Sequence, residues 1–319
     1  MSAGSLFDTR PPFDRDRLAR KLARLREQGV YIGTSSWKYE GWCGQIYTRE
    51  RYLSRGAFSQ KVFEAECLRE YGEVFPTVCG DFSFYQFPVE EYWRRLFANA
   101  APGLQFALKV PEQITAKVFP RHARYGPQAG LVNTSFLDPA LFAEAFLNPL
   151  DRHRERISTL IFEFGTFPHF AYADVRDFVR DLDRFLAVIP RQYRYSVEIR
   201  NPEFLHPDYF HCLTAHGAAH VFNAWSRMPE LREQISIPEA FTADFTICRA
   251  LLRRGRPYEN AVQAFSPYEE IRDPNPEGRA ALRDLIDSAR SQGIAAFIYV
   301  NNRFEGNAPR TIDAVVDGL

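Results

Sequence analysis

The residues of this chain best suited to chemistry are the acids, bases and amides that close its short apolar runs. The plainest run is Tyr195-Ser-Val-Glu-Ile-Arg200. Side chains alternate between the faces of a strand, so Val197 and Ile199 share one face, and Ser196, Glu198 and Arg200 share the other. Burying unpaired charge is costly. That polar face is therefore poor core material, and good site material if the strand ends at the open mouth of a barrel. The same parity separates Phe106, Leu108 and Val110 from Gln105, Ala107 and Lys109, and aims Lys109 inward. Glu163 shares a face with Thr159 and Ile161, Arg249 ends a further run, and Asn301 and Asn302 close the last.

These types define roles. Glu198 and Lys109 are the candidate catalytic pair, because a partly buried carboxylate can have its pKa raised into the range useful for proton transfer. Lys109, Arg200 and Arg249 can hold an anion or stabilise developing negative charge, and an arginine fork can bind two oxygens at once. Glu163, Asn301 and Asn302, with the loop aromatics Trp37 and Tyr85, complete the candidate ligand-binding set. The competing reading is a set of ion pairs that close the barrel top, Lys109 with Glu198 or Arg200 with Glu163. Asp81, Glu163 and Glu198 can converge, but no histidine ends a strand. His206, His211, His216 and His220 do not share one helical face and read as surface and core histidines. Zinc normally wants nitrogen or sulfur ligands, and no metal-binding or cofactor-binding residue is assigned. Cys43 and Cys79 lack a base adjacent in sequence and read as ordinary buried thiols.

The elements that must position these residues follow from patterning. Strands are expected at 30–36, 77–82, 104–110, 159–164, 193–200, 218–223, 241–252 and 294–300, and helices near 14–28, 59–72, 89–99, 138–147, 172–188, 207–215, 266–272, 277–292 and 307–317. Eight strands alternating with helical segments predict an α/β fold, a TIM-type (β/α)8 barrel. An open doubly wound sheet would usually carry a glycine-rich phosphate turn after its first strand, and Gly33-Thr-Ser-Ser36 has a single glycine. No linker divides the chain: residues 1–29 read as an N-terminal helical extension and 30–319 as the barrel domain. The loops after strands one, three and seven mix basic residues (Lys38, Arg49, Arg51; Lys117, Arg121, His122, Arg124; Arg253, Arg254, Arg256) with aromatics, which suits a phosphate backbone with stacked bases, a sugar phosphate or a nucleotide. The irregular stretch 111–137 is long enough to expect a functional role.

Composition sets outer bounds. Forty basic and forty acidic residues among 319 give no net charge, which argues against a uniformly basic nucleic-acid coat but permits a local patch. Five scattered cysteines read as reduced thiols. No run approaches the roughly 20 apolar residues that span a bilayer, and residues 1–24 lack a signal-peptide core, so the expectation is a cytoplasmic protein with no membrane partner.

Ile32-Gly-Thr-Ser-Ser-Trp-Lys-Tyr-Glu-Gly-Trp42 resembles the opening motif of the DUF72 family, also called YecE-like proteins. Phe75 to Pro88, Phe106-Ala-Leu-Lys-Val-Pro-Glu-Gln-Ile-Thr115, Val197-Glu-Ile-Arg-Asn-Pro202 and Asn301-Asn302 follow in the family's order, so that the resemblance covers about residues 30 to 317. It implies a TIM-type barrel without a firmly assigned activity. Likeness of such barrels to endonuclease IV and sugar isomerases has prompted suggestions of nucleic-acid binding, which is an analogy of folds. The chain departs from the family pattern at Cys79, Asp81 and Ser83, where Glu, Asn and Thr are common, at Ala116, where a histidine is usual, and after Arg249, where His-Gly often follows.

Three functional expectations stand together. The first is a strand-end pocket for a phosphate-bearing or other small anionic ligand, single-stranded nucleic acid among them. The second is a metal-independent enzyme acting on a small sugar or polyol. The third is a non-catalytic scaffold whose mouth binds a protein partner.

Overall fold

The computed structural model describes residues 12–319. Residues 1–11, the first part of the expected extension, lie outside the described residues. Eight strands close into a barrel: β1 Val30–Thr34, β2 Thr77–Gly80, β3 Gln105–Lys109, β4 Ile157–Glu163, β5 Tyr195–Glu198, β6 Ala219–Ala224, β7 Phe245–Ala250 and β8 Ala295–Val300. Each pairs in parallel with its neighbours in sequence, and β8 returns to β1 through Val30↔Ala296 to Thr34↔Val300. This is the expected TIM-type architecture.

Strand parity sorts the side chains as the sequence pattern requires. Phe106 and Leu108 of β3, Leu160 and Phe162 of β4 and Val197 of β5 face outward and join the large core beneath the helices. Ala107, Ile161, Val221, Ile247, Phe297 and Tyr299 fill the barrel interior. Because the interior is packed, only the strand ends can present polar groups to a ligand. Gly33 is needed for barrel closure: a Cβ there would stand 1.9 Å from the Thr77 carbonyl oxygen.

The helices are set by their caps. Asp14, Asp174 and Asn275 accept hydrogen bonds from the first-turn amides of Arg15–Glu27, Val175–Val188 and Pro276–Gln292. Gly217 and Gly293 end Pro207–His216 and Pro276–Gln292 in the left-handed conformation. Arg15–Glu27 buries Leu18, Leu22 and Leu25 in the main core. Arg17 of this helix pairs with Asp313 at 2.6 Å, so the helix is bound to the barrel layer.

Three expectations require correction. The helix placed at 266–272 lies earlier, at Tyr258–Phe265. Proline disfavours the helical region for the residue before it, and Ser266, preceding Pro267, is extended at φ −58°, ψ 139°. The seventh strand is limited to Phe245–Ala250 rather than 241–252, since apolar content continues past the ladder at both ends. Residues 111–137 are not one open loop. They contain the short helix Glu112–Thr115 and a bridge between Val118 and Val132, and the Asn133 amide donates to the carbonyls of Gln113 at 2.7 Å and Ala116 at 2.8 Å.

Candidate functional site at the barrel mouth

Lys109, Glu198, Arg200 and Arg249, from the ends of β3, β5 and β7, meet as the parity reading requires, together with Glu163 at the end of β4 and Asp81 just past β2. Lys109 Nζ lies 3.1 Å from Asp81 Oδ1 and 2.9 Å from Glu163 Oε2. Arg200 Nη2 lies 2.5 Å from Glu198 Oε1 and 3.4 Å from Glu163 Oε2. Arg249 reaches three acids: its Nη1 pairs with Glu163 and Glu198, and its Nη2 lies 3.3 Å from Asp81 Oδ1. Lys109, Arg200 and Arg249 are thus matched by Asp81, Glu163 and Glu198, three charges of each sign. The expected Arg200–Glu163 pair is present, whereas Lys109 pairs with Asp81 and Glu163 rather than Glu198.

The arrangement is layered by depth. The Glu198 side chain is 0 % exposed, Arg249 2 % and Lys109 7 %, while Glu163 is 14 % and Asp81 39 % exposed. Solvent therefore meets a carboxylate first, with the cations behind it. Aromatic rings flank the site from the loops after β2 and β6: Lys109 Nζ is 4.5 Å from the Phe84 ring centroid, and the Arg200 guanidinium is 4.2 Å from that of Trp225. Arg200 Nη1 and Arg249 Nε are buried without a hydrogen-bond partner, as is Oδ1 of Asn223, the residue beside Arg249 in the ladder. Buried polar atoms are rarely left unmatched, so such atoms at a strand end call for explanation.

The charge states follow from the surroundings. Burial alone would raise the Glu163 carboxyl, but Lys109, Arg200 and Arg249 hold it well below its ordinary range. Burial alone would lower the Lys109 ammonium, yet Asp81 and Glu163 raise it, so the amine stays protonated. Burial likewise opposes the charge of Arg249, and Glu198 leads the groups that raise it. Burial pushes the Cys79 thiol up to about 12 and raises that of Cys43, so neither is an activated nucleophile.

The other sequence candidates lie elsewhere. Asn301 accepts from the Arg303 amide at 2.9 Å and so caps Asn302–Glu305. Asn302 Oδ1 accepts from Trp42 Nε1 at 3.2 Å and from the Ala308 amide at 2.8 Å, which binds the loop after β1 to the C-terminal segment. Trp37 is buried against the edge of Phe82, with ring centroids 6.0 Å apart. Tyr85 is exposed beneath the Arg124 guanidinium, 4.5 Å from the ring centroid, and lines a rim cavity of about 550 Å³ with Glu112, Phe119, Arg124 and Tyr125. Of the basic loop residues, Arg49 pairs with Glu40 at 2.8 Å, Lys117 with Asp181 at 3.1 Å, Arg124 with Glu112 at 2.9 Å and Arg253 with Asp273 at 2.7 Å. These pairs neutralise much of the basic rim.

Sequence reasoning placed Asp81 only in a hypothetical acidic set, and overlooked Phe84, Asn223 and Trp225. Asp81 and Asn223 share the inward parity of Cys79 and Val221, which is the signal that identifies them. Nothing in the local pattern marks Trp225 or Phe84, because their role arises from packing across strands.

A family profile described as "Protein of unknown function DUF72" matches residues 31–319. The chain belongs to the DUF72 family. A DUF72 protein from Thermotoga maritima is similar in structure, with a TM-score of 0.57 and 18% identity over 90% of this chain and 96% of that one. A DUF72 protein from Enterococcus faecalis gives 0.56 and 14%, over 91% and 96%. At these identities the likeness shows the fold alone. No curated protein matches the chain.

Proposed function

We propose that this DUF72 barrel binds a small anionic ligand, carrying a phosphate or carboxylate, at its strand-end mouth. In this reading Asp81 occupies the ligand's place. The supporting observation is that the only markedly exposed member of the six-charge cluster is a carboxylate held at 3.1 and 3.3 Å by two buried cations. If Asp81 swings into solvent, the remaining five charges sum to +1, and Lys109 and Arg249 face an open position. An incoming phosphate or carboxylate restores the balance and offers further oxygens to donors behind it.

The proton-transfer roles read for Glu198 and Lys109 draw less support. Glu198 is fully buried with both carboxylate oxygens against Arg200 and Arg249, out of a ligand's reach, and Lys109 is stabilised as a cation, which opposes its release of a proton. Single-stranded nucleic acid fits less well than a small ligand, because acidic partners accompany the rim arginines. Among the described residues no helix is long and apolar enough to cross a membrane. A cytoplasmic setting is part of the proposal and accords with the five free thiols.

The test is thermal stabilisation of the full chain by inorganic phosphate, sugar phosphates, small carboxylates, neutral sugars and short oligonucleotides, repeated with Lys109→Ala. A ligand at about 100 times its Kd adds about 2.7 kcal/mol of stability. Stabilisation by small anions in the parent and its loss in Lys109→Ala supports the reading. A response to neutral sugars alone would refute it.

A further inference from the structure

A second cluster lies on the outer layer, at the opposite end of the barrel from the charged mouth. Helix Pro207–His216 ends where Gly217 turns the chain into β6, so His216 stands at the amino-terminal end of the strands. Cys212 and His216 are four residues apart on this helix and hence on one face. Asp183, from the packed neighbour Val175–Val188, comes to the same face. Its Oδ1 lies 2.7 Å from His216 Nε2. One donor atom from each of Asp183, Cys212 and His216 falls within 4.8 Å of the other two. We infer that Asp183, Cys212 and His216 form a site for a divalent transition metal of the zinc class, joining the two helices.

The donor chemistry is specific. One thiolate, one imidazole and one carboxylate, with water in a fourth position, is a tetrahedral set for Zn²⁺. Bond lengths of about 2.0–2.3 Å place tetrahedral donors about 3.4–3.7 Å apart, so the widest separation in the trio, up to 4.8 Å, must close by about 1 Å while Asp183 Oδ1 and His216 Nε2, 2.7 Å apart, open to admit the ion. The exposed Asp183 side chain is free to supply that movement. Nε2 of His216, the ring nitrogen that faces Asp183, is the ligand atom of the imidazole, and Nδ1 points away from the cluster. An ordinary surface His–Asp pair has no need of a buried thiol within reach of both partners. Binding would release the Cys212 thiol proton to solvent and form a metal–sulfur bond, with no redox step. The helix spacing of Cys212 and His216 is visible in sequence, but Asp183 is 29 residues upstream and joins them only through helix packing.

The full-length chain, reduced and stripped with a chelator, would be titrated with Co²⁺ and then with Zn²⁺. A near-ultraviolet thiolate-to-cobalt charge-transfer band should saturate at one metal per chain and be abolished by Zn²⁺. Cys212→Ser should lose the band, while Cys43→Ser, at a thiol outside the cluster, should keep it. Since loss of groups that merely orient ligands weakens metal sites about 10–100-fold, Asp183→Asn and His216→Gln should weaken Co²⁺ binding at least tenfold. The inference fails if the parent shows no thiolate band, if Cys212→Ser keeps it, or if Asp183→Asn binds Co²⁺ as tightly as the parent. Asp183 is on the surface, so that variant decides the matter even if Cys212→Ser fails to fold.

Discussion

Asp81→Ala should tighten the binding of small anions. In the parent, an anion entering the mouth must first separate Asp81 from Lys109 Nζ at 3.1 Å and Arg249 Nη2 at 3.3 Å. The carboxylate is 39 % exposed, so each pair is screened and worth about 0.5–1 kcal/mol rather than the larger figure for a buried pair. Removing the side chain spares the ligand that competition, about 1–2 kcal/mol in total, or about 5–30-fold in affinity. The same change leaves five charges summing to +1, so the unliganded variant should be less stable by a similar amount and melt a few degrees lower. Calorimetric titration with inorganic phosphate at fixed ionic strength reads the first effect, and a thermal melt without phosphate reads the second. Glu91→Ala, at an exposed acid on a different element, serves as the control. Unchanged or weaker phosphate binding in Asp81→Ala would refute the view that this carboxylate stands in the ligand's place.

Two further outcomes follow from the same cluster. Glu198→Gln removes the fully buried carboxylate that Arg200 and Arg249 share and leaves them Glu163 as their one remaining deep partner; breaking such a buried pair costs about 3–5 kcal/mol, which a urea midpoint would register as a large loss at unchanged slope. Acid should weaken the parent through Glu163, whose native pKa is depressed: its stabilisation is complete above the unfolded carboxyl value and is lost as pH falls through the lower native value. Denaturation midpoints should therefore fall with acidification, starting at about pH 4.5, and Glu163→Gln should flatten that slope. An identical pH profile in the variant would contradict this assignment.

The barrel was legible because the two periodicities are strong. In β3 and β4, Phe106, Leu108, Leu160 and Phe162 mark one face, and Lys109 and Glu163 emerge on the other, so strand parity indicated both the fold and the inward orientation of these two charges. The pairing within the site was not legible, because Lys109 chooses among three carboxylates by side-chain reach across strands. Asn301 and Asn302 illustrate a different limit. An amide at a strand end can face a ligand or cap a helix, and here both bind backbone instead. The helix expected at 266–272 failed for a local reason, since Pro267 moves the helical segment to the preceding Tyr258–Phe265.

The central claim is tested most directly by a crystal structure of the full chain grown or soaked with a phosphate or tungstate anion. The account predicts the anion against Lys109 Nζ and Arg249 Nη2, with the Asp81 carboxylate turned out toward solvent. An anion bound only elsewhere, with Asp81 still seated on both cations, would contradict it.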